Sequence, residues 1–248
     1  MQKNTNYFNY KFQILNILFK KFLKFNLNSD NTIPDGLITY HNKSFFSDPK
    51  FHEAYLFACK FTGYDFKIPY RIHQAIWGIH STIDIKGDIV ELGTGKGFTF
   101  SSILKYFEKD SAFNDKQIYL YDLFQQPDKV GIQFKNYEKF YSNSPDVSLK
   151  KFDEFKNVNL VIGNIFDTLK EDIHEKISFL HVDLNFAEIE IYSINILFDK
   201  LSKGAIILLD DFANAGHEEQ YEKWQKFAKE NNIYILNTPS GQGLFIKS

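Results

Sequence analysis

The chain has 248 residues, enough to bury one large hydrophobic core and to carry an appendage. Its apolar fraction of 44% and charged fraction of 24% are those of an ordinary globular protein, which excludes a collagen-like, coiled-coil or wholly disordered chain. The formal net charge of -2 provides no overall positive field, so a nucleic-acid substrate or partner is disfavoured.

The first 35 residues are basic and differ in composition from the rest of the chain. Lysines occur there before the first acid, Asp30, and apolar residues recur at helical spacing, at Phe12, Leu15, Phe19, Phe22 and Leu23. This pattern predicts a basic amphipathic helix. Docking of that helix on the domain, or on a partner subunit of a homo-oligomer, is favoured over contact with an anionic membrane surface.

Two further helices are predicted over residues 49–61 and 70–82, with Pro69 in the first turn of the second. We therefore assign residues 1–85 to an N-terminal helical extension or cap and residues 86–248 to the main domain. The lone cysteine, Cys59, excludes a disulfide framework and a cysteine-based zinc site. Neither a signal peptide nor a membrane-length apolar stretch is recognisable, so we expect a cytoplasmic protein.

From residue 88 onward, strand and helix patterns alternate. Strands are predicted over 88–92, 117–121, 159–162, 177–182, 205–209, 233–236 and 244–246, and helices over 99–107, 189–201 and 218–230. Uniformly apolar strands joined by helices indicate a parallel sheet covered on both faces. The last two strands are joined by a segment too short for a crossover, so they are predicted to be antiparallel. The expected fold is α/β, with a mostly parallel seven-stranded sheet and an antiparallel last strand.

The tip of the first predicted strand is rich in glycine. Glu91 is followed by Gly93, Thr94, Gly95 and Gly97. Such glycines let the backbone turn sharply and approach a ligand. The spacing differs from that of a dinucleotide-binding loop, and the loop lacks the Ser or Thr of a P-loop. An acid two residues before the first glycine resembles the pattern of S-adenosylmethionine-dependent methyltransferases.

The next two strand tips carry polar residues suited to a nucleoside. Asp122, at the end of the second strand, is placed to accept hydrogen bonds from ribose hydroxyls, as in both NAD enzymes and methyltransferases. Asn164, after the third strand, could meet an adenine edge or could serve only as a turn residue.

The fourth and fifth strand tips bring acids together. Asp183 and Asn185 follow one strand, and Asp210 and Asp211 follow the next. Three carboxylates on adjacent tips would repel one another unless a cation or protons were bound, and hard oxygen ligands suit Mg²⁺. Capping of the next helix by Asp210 or Asp211 would account for only one of them.

Taken together, these motifs resemble the macrocin O-methyltransferase family of sugar-modifying, metal-dependent class I methyltransferases, which have a Rossmann-like fold. The resemblance runs over roughly residues 68–248 and is carried by the segments 87–97, 121–124, 163–169, 181–204, 210–212 and 238–244. It implies that S-adenosylmethionine is surrounded by Glu91, Gly93, Thr94, Gly95, Gly97, Asp122 and Asn164, and that a divalent metal is bound by Asp183, Asp210 and Asp211.

This sequence departs from the family pattern at two positions. Many relatives carry a second Asp where this chain has Asn185, and an aromatic residue where it has Ala187. Either Glu188 or Glu190 could match a family glutamate, and the sequence leaves the choice open.

The resulting prediction is methyl transfer to a hydroxyl of a sugar or sugar-decorated small molecule. Asp183 would be both metal ligand and proton acceptor, with His217, and secondarily His181, as candidate general bases. Arg71 is the only arginine in the chain, and its planar fork is predicted to clamp the methionine carboxylate of the cofactor. It could instead be a remnant of a lysine-rich composition.

Three alternative functions stay open at this point. A catechol-type O-methyltransferase would use similar metal chemistry on an aromatic diol. An NAD-dependent oxidoreductase is less consistent with the glycine spacing. A non-catalytic binding or scaffold domain is less consistent with the intact set of acids.

Overall fold

The computed structural model describes residues 34–37, 43–123, 151–152, 154–170 and 174–248. The predicted basic amphipathic helix and most of the insertion between residues 123 and 158 lie outside these ranges. Within them, no helix has the length and apolar character needed to cross a membrane.

A seven-stranded sheet forms the centre of the domain, with the order β3-β2-β1-β4-β5-β7-β6. The strands are β1 (Asp88–Leu92), β2 (Ile118–Asp122), β3 (Val158–Ile162), β4 (Ile177–Val182), β5 (Leu201–Leu209), β6 (Leu236–Asn237) and β7 (Gly243–Ile246). Strands β1 to β5 pair in parallel, whereas β7 is antiparallel to both β5 and β6. This arrangement confirms the predicted mostly parallel sheet with an antiparallel last strand.

Helices cover both faces of the sheet. They are α1 (Pro49–Thr62), α2 (Pro69–Ser81), α3 (Phe98–Tyr106), α4 (Ser111–Asn114), α5 (Ile165–Thr168), α6 (Ala187–Leu197) and α7 (Glu218–Glu230). Side chains alternate between the faces along each strand, so Ile89 joins the core beneath α1, α2 and α3, whereas Val90 joins the core beneath α6 and α7. The helices of residues 49–81 share a core with the sheet. The proposed domain boundary near residue 85 stays a prediction.

Among the strands, the first residues of β5 and β6 differ most from those predicted. Strand β5 begins at Leu201, which pairs with Ile177, so the preceding helix ends earlier than residue 201. Strand β6 contains only Leu236 and Asn237, later than predicted. The N–H of Ile233 donates to the carbonyl of Ala228 at 2.8 Å and closes the end of α7, so it does not join the sheet.

Helix α2 begins with an unusual cap. Ile68, the residue before the helix, provides no side-chain hydrogen bond. Instead, Asp35 accepts the backbone N–H groups of Tyr70 at 2.7 Å and Arg71 at 3.2 Å. A carboxylate from a distant segment thus satisfies helix donors that a local Ser, Thr or Asp normally satisfies, and it fixes the start of the helix that carries Arg71.

Candidate active site

The glycine turn after β1 has a backbone shape that other residues would adopt only with strain. Gly93, Gly95 and Gly97 have φ angles of 95°, 55° and 81°. A Cβ atom on Gly93 would lie 1.9 Å from the carbonyl oxygen of Asp183. Glycine is therefore required at position 93 for close approach of the β1 and β4 tips.

The predicted ribose ligand Asp122 is part of this turn. Its Oδ2 atom accepts the backbone N–H of Gly95 at 2.7 Å. The carboxylate thereby ties the tip of β2 to the glycine turn, a structural contact that the sequence did not indicate. Its role toward a ribose stays a prediction.

Glu91 is buried at the end of β1 and pairs with a histidine on β4. Its Oε1 atom lies 3.0 Å from Nδ1 of His181, and burial raises the pKa of Glu91 while His181 offsets part of this effect. Burial alone would lower the pKa of His181, but the carboxylates of Asp210 and Glu91 outweigh it and raise this pKa to about 10. His181 is therefore protonated at neutral pH, which does not suit the general-base role considered for it from the sequence.

Asp183, Asp210 and Asp211 meet at the adjacent tips of β4 and β5. One carboxylate oxygen from each lies within 4.8 Å of the others. The parallel pairing of β4 with β5 causes this convergence, because the carboxyl ends of parallel strands lie at the same edge of the sheet. The structure thus brings together the three acids predicted to bind a metal.

Asp210 has the most complete set of partners among the three acids. Its Oδ2 atom accepts from Nη1 of Arg71, and its Oδ1 atom accepts from Nε2 of Gln242 at 2.7 Å and lies 3.5 Å from Nε2 of His181. Burial opposes ionisation, but Arg71 and His181 together hold the pKa of Asp210 well below its usual range. Asp210 is accordingly the fixed negative charge of the cluster.

The negative charges of Asp183 and Asp211 are less well neutralised by their neighbours. Burial, followed by repulsion from Asp210 and Asp211, raises the pKa of Asp183 well above its usual value. Burial and Asp210 raise the pKa of Asp211 as well, although Arg71 Nη1 lies 3.4 Å from its Oδ1 atom and Asn214 donates to the same oxygen at 2.5 Å. The cluster therefore holds more negative charge than its neighbours neutralise.

Arg71 reaches this cluster from α2. Its side chain is 15% exposed, and its Nε atom lies 4.0 Å from Oδ1 of the buried Asp35, too far for a hydrogen bond. The structure thus places the guanidinium on the acids that were predicted to bind metal. A role toward the methionine carboxylate stays a prediction.

Two other predicted residues have neighbours that suggest more modest roles. Nε2 of His217 lies 3.8 Å from Oδ2 of Asp211, and its Nδ1 atom is 2.7 Å from Nε2 of Gln220. Asn164 is exposed and caps α5 by accepting the N–H of Phe166 at 3.1 Å. Catalysis by His217 and adenine binding by Asn164 both stay predictions.

The glycine turn and the acids share one pocket of about 220 Å³. Its lining comprises Phe66, Ile68, Arg71, Glu91, Gly93, Thr94, Gly95, Lys96, Phe98, Thr99, Asp183, Asn185, Asp210 and Asp211. The sequence did not single out Phe66, Ile68, Phe98 or the half-buried Lys96, because apolar walls and single lysines carry no local signature.

The contributions of Gln242 and Asp35 to the site were also not predicted from the sequence. Gln242 precedes β7, and the antiparallel pairing of Leu209 with Gly243 places it beside Asp210. The predicted hairpin could have revealed this proximity if the register of β7 against β5 had been derived. Asp35 had no comparable signal, since it lies 36 residues before Arg71 in an irregular segment.

The pocket suits the two groups that the family resemblance implies. Oε2 of Glu91 and Oγ1 of Thr94 are buried, and although the two side chains interact with each other, neither atom makes a hydrogen bond of good geometry to a described residue. Buried atoms of this kind suit a polar ligand. The three acids offer hard oxygen donors that match a divalent cation such as Mg²⁺.

Comparisons with solved structures show what the fold resembles. The O-methyltransferase NovP aligns at 16% identity and a TM-score of 0.57, over 72% of this chain and 78% of its own. CalS11, a calicheamicin methyltransferase, aligns at 14% identity and a TM-score of 0.62, over 88% and 98%. An apo structure of CalS11 is described as a TDP-rhamnose 3′-O-methyltransferase.

A fungal structure gives a similar result. The methyltransferase PaMTH1 of Podospora anserina, bound to S-adenosylhomocysteine, aligns at 16% identity and a TM-score of 0.53, over 86% of this chain and 98% of its own. Likenesses at this level of identity establish the Rossmann-like class I methyltransferase fold. No curated protein sequence matches the chain.

A family model supplies the assignment that structural likeness alone cannot. The macrocin O-methyltransferase (TylF) model matches residues 70–238, more than half of the chain, and spans Arg71, the glycine turn and all three acids. The chain therefore belongs to the macrocin O-methyltransferase family and is an S-adenosylmethionine-dependent O-methyltransferase.

Proposed function

We propose that the protein methylates a hydroxyl of a sugar or of a sugar-bearing small molecule, and that Mg²⁺ or another divalent cation assists the transfer. The observation that carries this proposal is the convergence of Asp183, Asp210 and Asp211 beside the glycine turn, in one pocket. The family name and the description of CalS11 as a TDP-rhamnose 3′-O-methyltransferase support a sugar acceptor.

The glycine turn and its neighbours would bind the cofactor. Glu91 and Thr94 have buried oxygen atoms that can pair with the methionine end, and Arg71 lines the same pocket and could bind the carboxylate. Asp122 and Asn164, at the tips of β2 and β3, would meet the ribose and the adenine. This order follows the order of the strands in the sheet.

The acids would hold the metal and the acceptor. When bound, the cation acidifies a coordinated hydroxyl, which makes a neutral alcohol a competent nucleophile. In the transfer, the acceptor oxygen forms a bond to the methyl carbon while the carbon–sulfur bond breaks, and the hydroxyl proton passes to Asp183 or to His217. Gln220 holds the His217 ring so that its other nitrogen faces Asp211.

An aromatic diol is the second candidate acceptor. Phe66, Ile68 and Phe98 give the pocket an apolar wall that would suit a catechol ring. The cytoplasmic location, the homo-oligomer and the membrane-surface contact that were predicted from the sequence stay predictions.

The proposal is tested by transfer of labelled methyl groups from S-adenosylmethionine to a panel of glycosides and catechols, with Mg²⁺ or with EDTA. We expect glycosides to be labelled, and EDTA to lower the rate at least about 100-fold. Asp183→Asn should behave like EDTA, whereas Asp167→Asn, which changes an exposed acid on α5, should remain active. Equal rates with Mg²⁺ and EDTA would remove the metal from the mechanism, and labelling of catechols alone would replace the sugar acceptor.

A further inference from the structure

The guanidinium of Arg71 lies on the oxygen atoms that a divalent cation would use. Its Nη1 atom donates to Oδ2 of Asp210 and lies 3.4 Å from Oδ1 of Asp211. These two acids, with Asp183, are the groups whose oxygen atoms converge within 4.8 Å. The same carboxylates therefore face two alternative cations, one built into the chain and one taken from solution.

The two cations cannot share this pair of carboxylates without a large cost. A divalent ion bound to Asp210 and Asp211 would lie a few ångströms from Nη1 of Arg71, in a site shielded from water. At that separation, like charges repel each other even at the effective dielectric constant of a protein surface (about 20). Either cation therefore weakens the binding of the other.

The surroundings of Arg71 indicate that its guanidinium can leave the acids. Its backbone is fixed, because Asp35 accepts the N–H of Arg71 at 3.2 Å. The guanidinium is held by charge: Nη1 contacts the two acids, and Nε lies 4.0 Å from Oδ1 of Asp35 and makes no hydrogen bond to any described residue. A change of rotamer would thus break these contacts without disturbing the helix.

The charge balance shows why such a counter-ion is useful before metal binds. Asp183, Asp210 and Asp211 are close together, and the hydrogen bond that Asp183 accepts from Nδ2 of Asn185 is long, at 3.4 Å. Without any cation, the cluster would be forced apart or would take up protons. Arg71 neutralises part of this charge and keeps Asp210 and Asp211 in place.

We propose that Arg71 is an internal counter-ion of Asp210 and Asp211 that competes with the divalent cation, so that metal binding requires the guanidinium to leave. This inference rests on the proposed function, because it takes the three acids as the metal site. It adds a property that the acids alone do not explain, namely that Arg71 lowers the affinity of the three acids for the metal.

The test measures Mn²⁺ binding without cofactor or acceptor, by the electron paramagnetic resonance signal of unbound Mn²⁺. It compares the wild-type protein with Arg71→Gln, which removes the charge, and Arg71→Lys, which keeps a charge but lacks the fork. Lys86→Gln removes one charge from an exposed side chain, 81% accessible, and controls for net charge. Near-ultraviolet circular dichroism confirms that each variant is folded.

We expect Arg71→Gln to bind Mn²⁺ roughly 10-fold more tightly than the wild type, within the usual range of coupling between sites, and Lys86→Gln to match the wild type. Arg71→Lys should lie between them. Equal or weaker Mn²⁺ binding by folded Arg71→Gln would overturn the proposal. If that variant does not fold, Arg71→Lys decides: tighter binding supports competition, and unchanged or weaker binding overturns it.

Failure of the underlying function gives a different result. If neither the wild type nor Arg71→Gln binds Mn²⁺, the acids are not a metal site, and both the metal and the competition are lost. If the wild type binds Mn²⁺ and Arg71→Gln binds it no better, the metal site stands and only the competition is lost.

Discussion

The two parts of the pocket are built on different physical principles. At the tip of β1, the site depends on backbone shape: glycines with positive φ angles, one of them against the carbonyl of Asp183. At the tips of β4 and β5, it depends on charge balance among Asp210, Arg71 and His181, which come from separate elements. The backbone shape is determined by a few consecutive residues, whereas the charge balance is determined by residues that are far apart in the sequence.

This difference predicts how each part fails. A substitution in the glycine turn should act through local strain and should be insensitive to pH and metal. A substitution in the acid cluster should act through unpaired buried charge, and its effect should depend on pH and on the presence of a cation.

The largest effect is expected from Asp210→Ala. The substitution removes the buried carboxylate that both Arg71 and His181 contact, and leaves Arg71 with the longer contact to Asp211 and His181 with Glu91. This loss should lower the free energy of unfolding by about 3–5 kcal/mol. Urea denaturation in EDTA measures this loss. Asp167→Ala, at an exposed acid, is the control, and a loss at position 210 no greater than at position 167 would show that the buried charges are not balanced as described.

The pH dependence of stability should reveal the buried ionisable side chain of Glu190, which lies near the acid cluster. It accepts Nε1 of Trp224 at 2.7 Å, and burial raises its pKa to about 8, from an ordinary value of 4.5. The folded state therefore binds a proton that the unfolded state has lost between these values, so stability falls as pH rises from about 4.5 to 8.

Glu190→Gln should remove this loss. Relative to the wild type, it should gain on the order of 3 kcal/mol between pH 5 and pH 8.5, measured by urea denaturation in EDTA. Glu188→Gln, on the same helix with a side chain 84% exposed, should show no such gain. Parallel pH curves for the wild type and Glu190→Gln would contradict the assignment.

A smaller effect is expected in the glycine turn. Gly93→Ala should lower the free energy of unfolding by about 2 kcal/mol, because its Cβ would meet the Asp183 carbonyl and its φ angle is 95°. Gly63→Ala is the matched control, since Gly63 has a φ angle of 73° but no atom within 4 Å of the added Cβ. Equal losses at the two positions would mean that close approach contributes nothing at Gly93.

The smallest effect is expected at Asn164. Loss of its cap on α5 should lower stability by about 1 kcal/mol in Asn164→Ala. Asp110→Ala removes a similar cap, on α4, at a position away from the strand tips. If Asn164 also meets adenine, calorimetry should show weaker S-adenosylmethionine binding in Asn164→Ala alone. Equal affinities in the two variants would leave Asn164 as a cap only.

Much of the fold could be predicted from the sequence because the strands are short apolar segments separated by helical patterns. The order of elements and the antiparallel β7 were correct, whereas the bounds of β5 and β6 were wrong. Leu201 enters the sheet through pairing with Ile177, a contact between distant residues. Ile233 instead bonds to Ala228 and closes the end of α7, a local contact that its apolar sequence did not indicate.

The candidate site was predictable where residue type and strand position coincide. The three acids follow strands that pair in parallel, so their convergence could be expected. The contacts of His181 and Gln242 with Asp210, and of Asp35 with the start of α2, could not be predicted, because they depend on distances that only the folded chain defines. Arg71 was singled out correctly as unusual, but the structure places it on the acids.

The most direct test of the central claim is a calorimetric titration of the folded wild-type protein with S-adenosylmethionine. A glycine turn flanked by the buried oxygen atoms of Glu91 and Thr94 predicts saturable binding at one site per chain. The absence of binding by folded protein would contradict the assignment of this pocket as the cofactor site.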